Sequence, residues 1–450
     1  MRHVSTVFAG RQRLAYWRLT VAATVLLGLP AIVGAQDLSG FERRRIEQML
    51  ERGRDEIAKQ YYDSTLRGFD LAREYDTARQ RIDAASGMDG ALAAVAQFAL
   101  DLHDSHTFFV PPQRTVWAEY GWDLAMTGDS CFVRHVALGS DAEAQGVHAG
   151  DAVISISGYQ PNRDNLWQLL YLYRWLRPVR SLRTALVSPA GVARTLDLAA
   201  TIHERQQLVD LTGRDGGGDI VRLIRDAEKA MDEQRALTVE SGDDILIWKL
   251  PTFAVSDGQI RDIFKQARNR KTLILDVRGN SGGPVSTMLT LIGQLSHDSV
   301  AIGIQQERRK RVPLVAKGAG ENAFTGHLIV LVDSRSASAS EVTARAVQLA
   351  QRGRVLGDRT AGAVMRGQFR QFLLGGQTAI IYGFNITEAD LLMSDGARLE
   401  GAGVIPDELI LPTGSDLAAE RDPVLARAMT LAGTPMNATD AGALLRRDRR

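Results

Sequence analysis

Apolar positions change their spacing along the chain, and each change marks a different kind of element. Between residues 36 and 113 they recur at helical intervals: Phe41, Ile46, Met49, Leu50 and Ile57 share one face. A second helical pattern runs from Tyr75 to Ala85, and a third, rich in alanine, from Met88 to Leu102. From 114 to 200 the apolar runs shorten to strand length, as in Cys131-Phe132-Val133 and Val153-Ile154-Ser155-Ile156, with the turn Gly146-Val147-His148-Ala149-Gly150-Asp151 between them. Leu166 to Tyr173 suits a helix and Thr195-Leu196-Asp197-Leu198 a closing strand. Residues 201–242, with Gly216-Gly217-Gly218 and many charges, read as a linker carrying one helix over Ile220–Met231. From 243 to 413 buried-strand runs (Ile245–Trp248, Leu273–Leu275, His327–Val332, Val355-Leu356) alternate with helical patterns (Ile260–Ala267, Val285–Leu295, Val342–Gln351). Residues 414–450 predict a C-terminal helix and then, from Pro435, a disordered tail.

Composition narrows the function classes. A length of 450 residues calls for more than one core, and 45% hydrophobic with 24% charged residues is a globular composition. The net charge of +1 argues against a nucleic-acid partner. Cys131 is the only cysteine, which excludes an intrachain disulfide and a cysteine-based zinc site. Residues 1–35 read as a signal peptide: Arg2, Arg11, Arg13 and Arg18 precede an apolar run from Leu19, and Val33-Gly34-Ala35 suits cleavage before Gln36. An uncleaved anchor stays open, and either form puts the mature chain outside the cytoplasm, periplasmic or secreted. No later stretch is long and apolar enough to span a membrane.

Four stretches carry candidate chemistry. Ser336-Ala337-Ser338-Ala339-Ser340-Glu341 lies on a tight turn between a buried strand and a helix. Such a turn exposes a hydroxyl beside the free N–H groups of the helix start, where it can attack a carbonyl. Ser338 with Glu341 equally fits a capping box. Asp276-Val277-Arg278-Gly279-Asn280-Ser281-Gly282-Gly283 follows a strand and precedes a helix, which suits either an oxyanion cradle or a close-packing turn. His103 and His106, with Asp104 and Ser105 between them, form a polar knot before Pro111-Pro112, and Leu399-Glu400-Gly401-Ala402-Gly403-Val404-Ile405-Pro406-Asp407 closes the core.

In this order the motifs resemble the C-terminal processing peptidase and tricorn family of serine peptidases. The order Phe-Val-x-x-Val, Gly-Ser-x-Ala and Gly-Val-x-x-Gly-Asp-x-Val-Ile-x-Ile-x-Gly resembles a PDZ domain over some seventy residues, with Tyr120-Gly121-Trp122-Asp123-Leu124 in place of its usual carboxylate loop. The resemblance implies a multidomain α+β protein: an N-terminal helical domain (36–113), a PDZ-like domain (114–200), the linker (201–242) and a crotonase-like ββα peptidase core (243–413). It implies Ser338 as nucleophile. Processing peptidases place a lysine after the Thr-x-Gly turn, but Ala363 follows Gly362 here, no lysine occurs after Lys317, and Arg366 does not release its proton near neutral pH. The tricorn branch uses a Ser-His pair instead, matched by Ser105-His106, with Glu400 as the orienting carboxylate. The implied oxyanion donors are the N–H groups of Ala339 and of Gly282 or Gly283. His103 is the fallback base, and Asp390 and Asp395 compete with Glu400.

The function this implies is an exported serine endopeptidase. It forms a Ser338 acyl-enzyme with His106 as general base and acts on polypeptides with no cofactor and no metal. A homo-oligomer stays open. The alternative is a catalytically silent PDZ-containing binding protein on the same fold, as among relatives resembling the interphotoreceptor retinoid-binding protein.

Overall fold

In the computed structural model, residues 38–112, 116–204, 237–375 and 380–445 are described. The signal-peptide reading of 1–35 and the helix read over Ile220–Met231 lie outside the described residues. The chain opens with three helices, α1 (Gly40–Gln60), α2 (Leu71–Ala84) and α3 (Met88–Leu100). Ser39 and Glu42 form a capping box at the start of α1, and Asp70 caps α2. The helices do not close a core by themselves. Met49, Leu50, Ile57, Ile82 and Phe98 pack with Phe109, Tyr382 and Phe384 of a sheet. Gly53 allows this approach, since a Cβ there would lie 2.4 Å from the Phe384 ring. Phe41, expected on the buried face, is 58% exposed, with Arg45 over its ring.

That sheet draws on distant parts of the chain. β1 (Phe108–Val110) follows the helices, and β2 (Val116–Glu119) then leads into a five-stranded antiparallel module. The module runs β3 (Trp122–Thr127), β4 (Ser130–Val136), a short helix α4 (Asp141–Ala144), β5 (Ala152–Ile156), α5 (Leu166–Tyr171), β6 (Ser181–Val187) and β7 (Ala193–Ala199), paired in that strand order. β8 (Thr201–Glu204) returns antiparallel to β2. The two form a ribbon through which the chain enters and leaves the module.

The core begins earlier than the pattern suggested. β9 (Leu237–Ser241), read as linker, pairs antiparallel with β10 (Ile245–Lys249). Then come α6 (Asp257–Ala267), β11 (Thr272–Asp276), α7 (Val285–Gln294), the hairpin β12 (Val300–Glu307) and β13 (Arg311–Ala316), β14 (His327–Val332), α8 (Ala339–Leu349) and β15 (Arg354–Gly357). β16 (Arg366–Leu374), β17 (Ile380–Met393) and β18 (Glu408–Leu409) follow. The central sheet has the order β18-β15-β14-β11-β10-β9, parallel apart from β9. The other sheet is β1-β17-β12-β13, with β16 also on β17.

Parallel strands need cover on both faces, which explains their uninterrupted apolar runs. Leu246, Trp248, Leu273, Leu275, Leu328 and Val330 pack under α6, α7 and α8. Ile245, Ile247, Ile274, Ile329 and Leu331 face the other way and meet Val424, Leu425, Ala428 and Met429. Those residues belong to α10 (Pro423–Leu431), which follows the short α9 (Gly414–Ala418), and α11 (Ala438–Leu444) packs against α10. The disordered tail read from Pro435 is therefore corrected as far as residue 445. Asn437 caps α11, Ala441 is fully buried, and the second sheet face supplies the apolar surface that a local reading of 435–445 lacks. The fold is mixed α and β, and among the described residues no helix is long and apolar enough to cross a membrane.

Phe384 joins the helices to the sheet with no exposed surface. Phe384→Ala should cost about 3–5 kcal/mol of unfolding free energy. Urea denaturation followed by circular dichroism checks this, and a variant as stable as the parent contradicts the packing argument.

Candidate active site

Parallel topology brings the motifs together. β11, β14 and β15 are neighbours running the same way, so the loops after Asp276, Val332 and Gly357 leave from one edge. Ser338 sits at the end of the middle loop, at the N-cap of α8, with φ 54° and ψ −116°. Positive φ is costly for a residue with a side chain and persists only where the surroundings impose it. Here two contacts do so: Ser338 N–H donates to the Ala363 carbonyl at 2.8 Å and to Glu341 Oε2 at 3.1 Å. Gly282 completes the seat from the other side, because a Cβ there would lie 2.6 Å from Ser338 Cβ.

Glu341 is more than the capping residue its position suggested. It is fully buried, and its Oε1 accepts from Thr360 Oγ1 at 2.5 Å and Gly362 N–H at 2.7 Å. Its Oε2 accepts from Ala363 N–H at 2.8 Å as well as from Ser338. One carboxylate thus fastens the Thr360–Ala363 turn to the serine turn. Burial opposes its charge more strongly than these donors favour it, and the carboxyl is pushed up to about 7.

The Thr360–Ala363 turn continues into the second half of the site. Val364 N–H donates to Glu400 Oε2 at 3.0 Å. The same carboxylate accepts from Ser105 N–H at 2.9 Å and from Ser105 Oγ at 2.9 Å. Ser105 Oγ lies 2.6 Å from His106 Nδ1. Because the Ser105 hydroxyl proton goes to Glu400, its lone pair is left to accept from Nδ1–H. That places the imidazole proton on Nδ1 and leaves the Nε2 lone pair available. Burial lowers the His106 pKa below its ordinary value, with Asp104 acting against that shift. Burial raises that of Glu400. Glu400 touches Ser105, and its link to the imidazole runs through the Ser105 hydroxyl. Ser338 and His106 make no hydrogen bond to one another among the described residues.

The other candidates fall elsewhere. His103 is exposed, with φ 52°. Asp390 pairs with Arg398 at 3.1 Å and Asp395 with Arg345 at 2.5 Å, so neither competes for Ser105. Arg366 pairs with Glu307 at 3.0 Å. Lys249 is held by Asp276 at 3.1 Å and by the Arg278 carbonyl at 2.5 Å. Of the proposed oxyanion donors, Gly282 is corrected: its N–H donates to Asn280 Oδ1 at 2.7 Å. The N–H groups of Gly283 and Ala339 donate to no partner among the described residues, the latter as an unpaired first-turn amide. Asp276 is buried, and Arg278 and Lys249 overcome that burial to hold it below the usual carboxylate range. Arg278 reaches on to Asp422 at 2.8 Å, which ties the glycine-rich loop to the cap of α10.

The antiparallel module grips the same loops, a connection no single motif announces. Arg163 pairs with Asp358 at 2.6 Å and donates to the carbonyls of Gly128 and Arg359, both at 2.9 Å. Asp123, in the stretch that stands where a PDZ domain has its carboxylate loop, pairs with Arg335 at 2.8 Å.

The sequence profile of Peptidase family S41 matches residues 244–410. Over this segment the chain is similar to peptidase family S41. The tail-specific protease of Haemophilus influenzae is 23% identical over 310 residues, which are 65% of this chain and 41% of that protein. A tricorn protease homolog of Streptomyces coelicolor is 30% identical over 171 residues, 36% of this chain and 13% of that one. The chain thus spans less than half the length of either relative. The solved structure of mature CPAF aligns over 84% of this chain and 94% of its own, with a TM-score of 0.63 and 14% identity, a likeness of fold. The S41 segment contains Ser338 and Glu400 but neither Ser105 nor His106, which reach the site from outside it.

Glu341 links the site to pH. Its folded-state pKa of about 7 exceeds the ordinary 4.5, so between these values the folded state binds the proton more tightly than the unfolded one. Stability should fall as pH rises through that window, by on the order of 3 kcal/mol from this group. Urea unfolding at pH 4.5 and 7.5 should show the wild type losing more stability over this interval than Glu341→Gln. Parallel pH curves contradict the assignment.

Proposed function

We propose that this protein is an exported serine endopeptidase that cleaves polypeptides through a Ser338 acyl-enzyme. The observation that carries the reading is the chain of contacts from His106 Nδ1 through Ser105 Oγ to Glu400, whose carboxylate also holds the strand-leading residue Val364 beside the serine turn. In this reading His106 Nε2 takes the Ser338 proton and returns it to the leaving amine. Ser105 passes the charge of Glu400 to the imidazolium, and the Ala339 and Gly283 amides bind the oxyanion. The S41 match and the protease relatives support the reaction class. A crotonase-like core and a PDZ role for the 114–200 module belong to the same proposal, the module docking substrate segments while it braces the loops at Asp358 and Arg335.

A purified full chain should react with a fluorophosphonate at Ser338, and Ser338→Ala should not. His106→Ala should lose labelling and casein cleavage together, by ~10²–10⁴-fold. Sequence alone puts the acid limb of activity near the ordinary imidazole value of ~6.5. Burial of His106 moves the expected limb below it. Full activity in His106→Ala with the limb unchanged would sink the histidine assignment. The silent binding-protein reading draws on the missing hydrogen bond between Ser338 and His106, and a wild-type chain that never labels would favour it. That gap by itself is common in ligand-free hydrolases, where catalytic hydrogen bonds tighten on substrate binding.

Export rests on residues 1–35. N-terminal sequencing of protein from the extracytoplasmic fraction should begin at Gln36; an intact Met1 in membranes would mean an anchor.

A further inference from the structure

Asp104 stands two residues before His106 and is buried. Its Oδ1 accepts from His106 N–H at 2.9 Å, from Thr107 N–H at 2.6 Å and from Thr387 Oγ1 at 2.8 Å. Its Oδ2 accepts from Thr107 Oγ1 at 2.9 Å. All four partners donate, which suits an ionised carboxylate. Thr387 belongs to β17, and its own N–H donates to Thr107 Oγ1 at 3.2 Å. The Asn385 side-chain amide, from the same strand, donates to the His106 carbonyl. The backbone of His106 is therefore held at its N–H by Asp104 and at its carbonyl by β17, next to the β1–β17 pairing at Phe108 and Asn385. The bonds from His106 and Thr107 are those of a local turn, and the bond from Thr387 ties that turn to β17.

We propose that Asp104 is a positioning residue for His106: its carboxylate fixes the backbone carrying the imidazole, and its charge stabilises the imidazolium formed during turnover. The proposal rests on the reading of His106 as the base. Two carboxylates then flank the histidine, Glu400 through Ser105 and Asp104 from the backbone side. The charge acts as expected for such a site. Burial is the larger influence on His106 and lowers its pKa, and Asp104 is the charge that opposes it. Asp104 also pushes Glu400 upward, and Arg67 and Tyr61 lie within its field. Asp104 thus adds to the support that Glu400 gives the imidazolium through Ser105.

The rate of Ser338 labelling by a fluorophosphonate, measured against pH on the full chain, tests this without knowledge of the natural substrate. Asp104→Asn keeps an oxygen for the two backbone N–H groups, and its amide can donate to the Thr107 hydroxyl, so geometry is retained and charge is lost. The acid limb should move down by about one pH unit, with the plateau rate about tenfold lower. Asp104→Glu restores the charge and should return the limb to its wild-type place. A limb unmoved in Asp104→Asn, or unrestored in Asp104→Glu, overturns the proposal, because a purely structural role changes the plateau alone. If Asp104→Asn does not fold, Asp104→Ser carries the same test of charge. Persistent labelling in His106→Ala would instead overturn the reading of the base, a separately visible failure.

Discussion

The site depends on the buried carboxylate of Glu341. It accepts hydrogen bonds from Ser338, Thr360, Gly362 and Ala363, joining two loops that leave adjacent parallel strands. Without it the serine turn would lose one of the two contacts that hold its positive φ, and the Ala363 carbonyl would lose its register against Ser338 N–H. The residue after that turn, Val364, is also where Glu400 attaches. A displacement at Glu341 would therefore reach the histidine as well as the serine. Burying a carboxylate is unfavourable, and its raised pKa is the signature of that cost.

The same device recurs around the site at larger scale. Asp276, Arg278 and Asp422 form an ion-pair chain, buried at its Asp276 end, from the glycine-rich loop to the helix covering the opposite sheet face. Arg163 with Asp358, and Arg335 with Asp123, join the antiparallel module to the loops on either side of Ser338. For the pairs made by Asp276 and Asp358, removing the arginine leaves a buried carboxylate unpaired, so they define a docking geometry more than they add net stability; the half-exposed Arg335–Asp123 pair is a weaker contact. The module, the C-terminal helices and the serine loop are in this sense one mechanical unit.

The histidine half arrives differently. His106 lies outside the central sheet, at the end of a helical segment whose apolar face closes only on β17 and its neighbours. The packing of Phe109 and Phe384, ring centroids 5.0 Å apart, and the polar fastening of Asp104, Thr107 and Thr387 fix where the chain crosses the edge of the core. A hydrophobic contact sets the approach and a hydrogen-bonded cluster sets the angle, the usual division between non-directional and directional forces.

Much of this was legible in the residues themselves. Strand runs such as His327–Val332, the helical spacing after Ser338 and the glycine turn at 279–283 specify local structure through near-neighbour sterics and periodic burial, which act over a few residues. The candidate roles of Ser338, His106, Ser105 and Glu400 come from the family resemblance of short motifs, since the local patterns alone equally suit a helix cap and a surface histidine. What the sequence could not show is which distant groups meet. That Gly282 has its N–H taken by Asn280 while Gly283 does not, that Glu341 holds the Thr360–Ala363 turn, and that Asp123 faces Arg335 are all outcomes of packing between segments far apart in the chain. The tail shows the reason most plainly. Residues 438–444 have little apolar surface of their own, and they fold against α10, which keeps from water the second face of a parallel sheet whose strands begin as far back as Ile245.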